Sequence, residues 1–269
     1  MSNQLSIKKS VIEIGIKEPI RFLHITDAHM DIVKEIGKAE NVDYFEEAMK
    51  YAKKNDMFIV CTGDNFKWFS EENYNYAVKN FSDESNIFIP GNHDFCRSPD
   101  NDGLGEPREY QKYSKKWTPC YNLNIDFDSK IINGVNFVCL QNGYYSISYE
   151  QIELLKAEVM KGFPIILCMH VPLFNLERAE DMLLRGRPAG YMIAPVDECR
   201  IKYNESHAIA QKPTKETLDA VEYISNEPLI KAIVAGHIHE DFDGFADCGK
   251  RQITTDMICR GVARRIKVI

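Results

Sequence analysis

Apolar residues in this chain come in short β-rich runs, separated by stretches where they recur at helical spacing. The runs occupy residues 20–26, 57–62, 86–90, 135–141, 164–169 and 231–235, each bounded by Gly, Pro, Asn or Asp. Runs of that length with such boundaries read as buried strands. Between them the spacing predicts helices over 42–54, 71–81, 149–161 and 215–225; the third carries Ile152, Leu154, Leu155 and Val159 on one face. Residues 11–16 and 263–269 read as flanking strands, the second entered through a turn at Gly261. The alternation of strand and helix predicts an α/β layer fold. Two stretches break the rhythm. Residues 95–130 are rich in Pro, Asp, Lys and Tyr, and residues 171–213 hold Arg178, Arg185, Arg187, Gly190, Tyr191 and His207. Connections this long usually act as lids or binding loops. Both leave from candidate site positions, so both are expected to overhang the site as substrate-side insertions in a single domain spanning 1–269.

Bulk properties narrow the field. A chain of 269 residues that is 44% hydrophobic can bury a full core. The net charge of −7 disfavours a general nucleic-acid binder. No apolar run approaches the roughly 20 residues of a membrane helix, and residues 1–10 lack the apolar stretch of a secretory signal. The eight cysteines are dispersed without a C-x-x-C pair, and Cys61, Cys139 and Cys168 lie inside apolar runs. That pattern predicts structural thiols in a reducing compartment, hence a cytoplasmic protein, and no zinc–thiolate site.

The chemistry lies just beyond the apolar runs. The fragments there are Thr26-Asp27-Ala28-His29, Gly63-Asp64-Asn65, Gly91-Asn92-His93-Asp94, Met169-His170-Val171 and Gly236-His237-Ile238-His239, which together hold five of the seven histidines. In open α/β sheets ligands collect beyond the carboxyl ends of strands. If the backbone stays extended, residues i and i+2 point the same way, so Asp27 and His29 could grip one ion. His237 and His239 could do the same or serve one ion each. The donors Asp27, His29, Asp64, Asn92, His170, His237 and His239 are imidazoles, carboxylates and an amide, suited to Mn, Fe or Zn and not to copper(I). Seven donors are too many for one tetrahedral ion and suit two ions sharing a carboxylate. Gly63, Gly91 and Gly236 each precede a donor, where close backbone approach is expected. His93 is placed to donate a proton to a leaving alkoxide, with Asp94 available to orient its ring.

The ordered set D-x-H, G-D, G-N-H-D, H, G-H-x-H, running from Asp27 to His239, resembles the calcineurin-like metallophosphoesterase family. The resemblance implies a four-layer αββα sandwich with two mixed β-sheets between helices. It implies one metal held by Asp27, His29, Asp64 and His239, and a second by Asp64, Asn92, His170 and His237. The ions would be divalent or mixed-valence transition metals. It further implies catalysis by in-line attack of a metal-bridging hydroxide on phosphorus, with His93 as general acid and Asp94 behind it. Many members carry a further acidic or amide residue a few positions after G-D; here Asn65 follows at once, with Lys67 and Trp68 after it.

Other residues bear on the substrate. Arg185 and Arg187 read either as an exposed charged helix end or as forks matched to phosphate. His207 reads as a solvated loop residue or a substrate contact. Tyr191, Trp68 and the pair Tyr144-Tyr145 could stack on a nucleobase, although packing is the commoner use of such rings. His24 reads as a hydrogen-bonded strand histidine and Asp31 as a solvated acid. The expected function is hydrolysis of phosphodiesters or phosphomonoesters, with a small nucleotide or cyclic nucleotide as substrate and no membrane partner. The alternatives are a phosphoprotein phosphatase, a nuclease of the same fold, or a non-catalytic protein-binding scaffold.

Overall fold

The computed structural model describes residues 4–33, 38–98, 107–121, 124–187, 190–193 and 211–269. In chain order the elements are β1 (Ser6–Ile12), β2 (Ile20–Ile25), β3 (Asp31–Val33), β4 (Lys38–Glu40), α1 (Val42–Lys54), β5 (Phe58–Thr62), α2 (Glu71–Asn80), β6 (Ile87–Ile89), α3 (Pro107–Trp117), β7 (Phe127–Ile132), β8 (Val135–Leu140), α4 (Tyr149–Val159), β9 (Ile165–Cys168), α5 (Leu176–Leu184), α6 (Lys215–Asn226), β10 (Ile230–Ala235), β11 (Phe242–Phe245), β12 (Arg251–Thr254) and β13 (Val262–Val268). The helices start where local chemistry satisfies their first amides. Ser70, Asn175 and Thr214 each accept an N–H two or three residues into the helix, and Ser148 with Gln151 forms a reciprocal capping box on α4.

Two mixed sheets form the centre. One runs β1-β13-β2-β5-β6, with β13 antiparallel to β2 and the other pairs parallel. The other runs β11-β12-β10-β9-β8-β7, parallel in its middle and antiparallel at both edges. Their inner faces pack together through Ile12, Phe22, Val60 and Ile266 on one side and Phe137, Ile166, Val234 and Ile253 on the other. At the middle of that interface the Phe137 ring stands edge-on to Phe22 and Phe58, with centroids 5.5 Å apart in both pairs. The outer face of the first sheet is covered by residues of α1, α2 and α3, including Phe45, Ala77 and Trp117. The outer face of the second is covered by α4 and α6, through Ile152, Leu155 and Ile224. The protein is therefore a four-layer αββα sandwich. The central strands are buried on both faces, which is why they read as unbroken apolar runs. Among the described residues no helix is long and apolar enough to cross a membrane.

The first strand differs from the expected 11–16. It begins at Ser6 and ends at Ile12, in register with Val262 to Val268. Only its Ser10 and Ile12 are buried, and the charged Lys8 and Lys9 hide it from a reading based on apolar runs. Strands β7, β11 and β12 and helices α3 and α5 were not expected from periodicity. The edge strands are polar on at least one face, β11 alternating half-buried with exposed. Within 95–130, α3 is part of the helical layer: Trp117 is fully buried, stacks on Phe66 at 5.2 Å, and donates its indole N–H to the Asp94 carbonyl at 2.6 Å.

Phe137→Ala removes the ring on which the two sheets meet. It is expected to lower unfolding free energy by about 3–5 kcal/mol, read by urea denaturation; a loss below about 1 kcal/mol would contradict the packing described.

Candidate metal centre

The loops leaving β2, β5, β6, β9 and β10 converge. Asp27, His29 and His239 bring ligand atoms within 4.8 Å of one another, and so do Asp64, His170 and His237. A third such group, His29, Asp64 and His93, overlaps both. Asp64 Oδ2 lies between the first two groups, 3.3 Å from His170 Nε2 and 3.9 Å from His29 Nε2. Asn92 Oδ1 lies 3.0 Å from His170 Nε2, so the amide belongs to the Asp64 group. Asp27 Oδ1 is 3.1 Å from His239 Nε2 and 3.7 Å from His29 Nε2. The structure thus brings together all seven side chains that the strand-end fragments single out.

The local packing fits cation binding. Asp27 Oδ1 is buried without a hydrogen bond. Ring nitrogens face each other in two places, His29 Nε2 against His239 Nε2 at 3.4 Å and His237 Nδ1 against His170 Nε2 at 3.2 Å. The outward nitrogen of His170 is already engaged, Nδ1 lying 2.7 Å from the Thr62 carbonyl oxygen. That bond holds a ring proton on Nδ1, so Nε2 is the nitrogen that a cation would take once its own proton is displaced. Converging imidazole nitrogens around buried carboxylate oxygens are what a cation would satisfy. The glycines give the required closeness: a Cβ on Gly91 would collide with the Asp64 carboxylate, and one on Gly236 with the Thr26 hydroxyl.

The backbone geometry departs from the extended alternation expected. Asp27 and His29 have φ of 53° and 43°, Asp64 has 51°, and His237 and His239 have 68° and 52°. These pairs converge through left-handed residues flanking Ala28 or Ile238, because the chain has already turned away from the strand. Each such residue is strained by about 1–3 kcal/mol, and buried polar bonds hold the turns. Asp27 Oδ2 accepts from the Thr26 hydroxyl at 2.7 Å and the His237 N–H at 3.0 Å. Asp64 Oδ1 accepts the His93 N–H at 2.8 Å.

Electrostatics follow from burial among like and unlike charges. Burial opposes a charge on His170, but the Asp64 carboxylate beside it prevails and raises the pKa to about 9. Burial, then the His170 charge, holds His237 down to about 3; burial holds His29 at about 4. Burial would raise Asp27 and Asp64, yet His239 for the former and His170 for the latter keep both below the ordinary carboxylate range. Asp94 goes the other way: burial, reinforced by the Asp64 charge, pushes it up to about 7 despite three backbone N–H donors.

Those donors define what Asp94 does. Its carboxylate accepts from the backbone N–H groups of Gly91 at 2.7 Å, Phe66 at 2.9 Å and Asn65 at 3.3 Å. Among the described residues no hydrogen bond joins it to the His93 ring. Asp94 staples the loop after β5 to the loop after β6, and the expected orienting bond is replaced by that task. Asn65 works beside it, its amide donating to the Ile89 carbonyl at 2.8 Å and the Tyr121 hydroxyl at 3.1 Å. The His93 ring is half-buried and stands edge-on to His29, with centroids 4.7 Å apart.

The remaining candidates among the described residues are engaged by other partners. Arg185 and Arg187 are both bonded to the Glu240 carboxylate, which Arg178 also contacts. Arg187 also donates to the Ile238 and His239 carbonyls at 3.2 and 3.3 Å. These arginines pin α5 to the loop after β10. Tyr191 is 1% exposed, so no face of its ring is open for stacking. The half-buried Trp68 donates its indole N–H to the Asp31 carboxylate at 3.1 Å; Asp31 is buried, not solvated. His24 is buried between the hydroxyls of Thr255 at 2.7 Å and Thr62 at 2.8 Å, as a strand histidine should be. His207 lies outside the described residues.

In the loop leaving β8, sequence reasoning weighed Tyr144 and Tyr145 only as stacking rings and missed Asn142. Asn142 Oδ1 accepts the N–H groups of His170 and Val171, both at 3.0 Å, while its amide donates to the Val171 carbonyl at 2.7 Å. Tyr145 places its hydroxyl 2.5 Å from His237 Nε2. The Asn142-Gly143 turn pair after an apolar run was the available signal.

A family model of calcineurin-like phosphoesterases matches residues 20–241. No curated protein matches the chain. Among solved structures, a Staphylococcus aureus protein provisionally named a 5'-nucleotidase is 16% identical, with 93% of this chain and 51% of that one covered and a TM-score of 0.49. The present chain spans about half the length of that protein. A dimetal phosphatase from Danio rerio is 11% identical, covering 90% and 88%, with a TM-score of 0.49. A phosphopantetheinyl hydrolase from Mycobacterium tuberculosis is 12% identical, covering 97% and 92%, with a TM-score of 0.45.

Asp94→Asn turns an NH₂ group toward backbone N–H donors, so it is expected to destabilise the fold by about 1–3 kcal/mol, measured by urea unfolding; an unchanged midpoint would refute the staple. Because His170 titrates near 9 in the metal-free protein, a cation bound there must displace its proton. Metal uptake should therefore weaken as pH falls from 9 and release protons at pH 7. Calorimetry in two buffers of different ionisation enthalpy measures this, and zero proton release would contradict it.

Proposed function

The chain belongs to the calcineurin-like phosphoesterase family of metal-dependent phosphoric ester hydrolases, and on that premise we propose that it hydrolyses small phosphate esters at a dinuclear centre. The observation that carries the reading is the position of Asp64, whose one carboxylate is shared by two groups of inward-facing nitrogens. Asp27, His29, Asp64 and His239 would hold one ion, and Asp64, Asn92, His170 and His237 the other. The donor set contains no thiolate and suits Mn, Fe or Zn. Bound ions would supply Lewis-acid polarisation of a phosphoryl oxygen and acidification of water at the centre.

The chain's own residues supply the rest. His93, half-buried beside His29, is the general acid that protonates the leaving alkoxide. Its main chain is fixed by the bond from its N–H to Asp64, so the acid is positioned by the same carboxylate that organises the centre. Asp94 is a positioning residue that acts through the loops carrying Asp64 and Asn92. We read residues 1–269 as one domain in which 95–130 and 171–213 border the substrate side. The substrate favoured is a small nucleotide or cyclic nucleotide, because a net charge of −7 gives little attraction for long nucleic acids. The buried free thiols Cys61, Cys139 and Cys168 support a cytoplasmic location.

His93→Ala is expected to lower kcat by about 10²–10⁴-fold on bis-p-nitrophenyl phosphate or p-nitrophenyl phosphate, with metal content unchanged. Elemental analysis should give about two metals per chain, and chelation should abolish turnover until metal is restored. Metal-loaded protein with no turnover on cyclic nucleotides, mononucleotides, phosphopeptides or oligonucleotides would sink the enzymatic reading. Preference for phosphopeptides or oligonucleotides would replace the substrate class.

A further inference from the structure

Tyr145 lies outside the strand-end fragments, yet its surroundings single it out. It follows Asn142, Gly143 and Tyr144 in the loop leaving β8 and is 3% exposed. Its φ is 57°, a left-handed conformation that is an outlier for a bulky aromatic residue. Such strain persists only where the surroundings over-determine it, and it concentrates at functional sites. Here the strained turn closes through a bond from the Tyr145 N–H to the Asn142 carbonyl at 2.9 Å, and the Asn142 side chain holds the loop of His170. The tyrosine hydroxyl ends 2.5 Å from His237 Nε2. On the other side of that ring, Nδ1 faces His170 Nε2 at 3.2 Å. A third segment closes over the contact: a Cβ on Gly190 would lie 2.6 Å from His237 Nε2 and 2.9 Å from the Tyr145 hydroxyl.

We propose that Tyr145 is the positioning residue of His237, holding the ring so that Nδ1 offers its lone pair to the centre, with Gly190 leaving the space that this bond needs. The inference rests on the dinuclear reading and extends it to a residue outside the family motif. A neutral imidazole carries one proton, on one nitrogen or the other. For Nδ1 to ligate a cation that proton must sit on Nε2, and the tyrosine oxygen is the acceptor beside it. His170 is served in the same way by a backbone carbonyl on its Nδ1 side. His237 follows Gly236 in a left-handed turn, so a side chain from another loop takes the part that a strand carbonyl plays for His170. Partners of this kind set ligand orientation and basicity, and their loss typically weakens metal binding about 10–100-fold.

The test is Mn²⁺ binding to the full chain, wild type against Tyr145→Phe, by isothermal calorimetry and by electron paramagnetic resonance of the loaded protein. The phenylalanine keeps the ring and its packing and removes only the hydroxyl. Two binding events are expected in the wild type. In the variant one event should weaken about 10–100-fold, the other should hold, and the spin-coupled signal of a metal pair should fade at two equivalents of Mn²⁺. Gly190→Ala keeps the hydroxyl but intrudes on the bond, and it should weaken the same event. Two unchanged events in Tyr145→Phe would overturn the inference and leave the dinuclear reading standing. Equal weakening of both events in either variant would mark a merely structural role and overturn it too. A wild-type protein that binds no Mn²⁺ would overturn both, since no cation would then select the tautomer.

Discussion

A carboxylate buried as deeply as Asp64, at 1% exposure, imposes conditions on everything around it. Taking such a charge out of water costs several kcal/mol unless donors or cations replace the solvent. One oxygen is answered by a single backbone N–H, and the other looks into a space ringed by imidazoles. No strand can meet those conditions alone. Loops from both sheets must arrive together, so the site forms where the strands end and the chain is free to turn. The sandwich below is the rigid part: its inner faces are apolar and interlocked, and the exits are fixed relative to one another because the sheets are.

The turns at those exits are unfavourable conformations for the residues that occupy them. Five of the converging side chains and Tyr145 sit in left-handed backbone. A fold tolerates that only where cooperative structure offsets it, and here the offset is polar as well as apolar. Asp94 and Asn142 each bind more than one backbone group of a neighbouring loop, and Asn65 adds a bond to the Ile89 carbonyl. They act as cross-ties between loops, and they explain why a site rich in buried polar atoms does not simply open to water. Asp94 is the sharpest case, since an acid raised to about 7 by burial still accepts three amide protons.

The central strands and most helices were readable because double-sided burial leaves an apolar run and single-sided burial leaves a helical spacing. The edge strands β7 and β11 were not, since exposure on one side fills them with the same residues that loops use, and the interior β12 was hidden by its buried polar Gln252 and Thr254. Among the described side chains of helix α3 the buried face rests on Tyr113 and Trp117, too few to make a period visible. The convergence of the strand-end residues was legible from their order, but the way they converge was not. Left-handed turns at Asp27, His29, His237 and His239 depend on contacts between distant segments, and so do the partners of Tyr145 and Asp94. The arginines 185 and 187 show the reverse: residues suited to phosphate by type are taken up by a carboxylate, Glu240, that sequence separation concealed.

The pairing of β13 between β1 and β2 sets a schedule for synthesis. Strand β2 delivers Asp27 and His29 early in translation, yet its partner at 262–268 is made more than two hundred residues later. Until then the first sheet has a gap between β1 and β2, and the turn at Asp27 has no finished strand behind it. Pairings this distant in sequence are slow to form and leave strand edges exposed to other chains. The nascent protein therefore passes through a long interval in which its imidazoles and carboxylates are made but not arranged. An unpaired strand edge, open to other chains until β13 arrives, is the hazard that this topology carries.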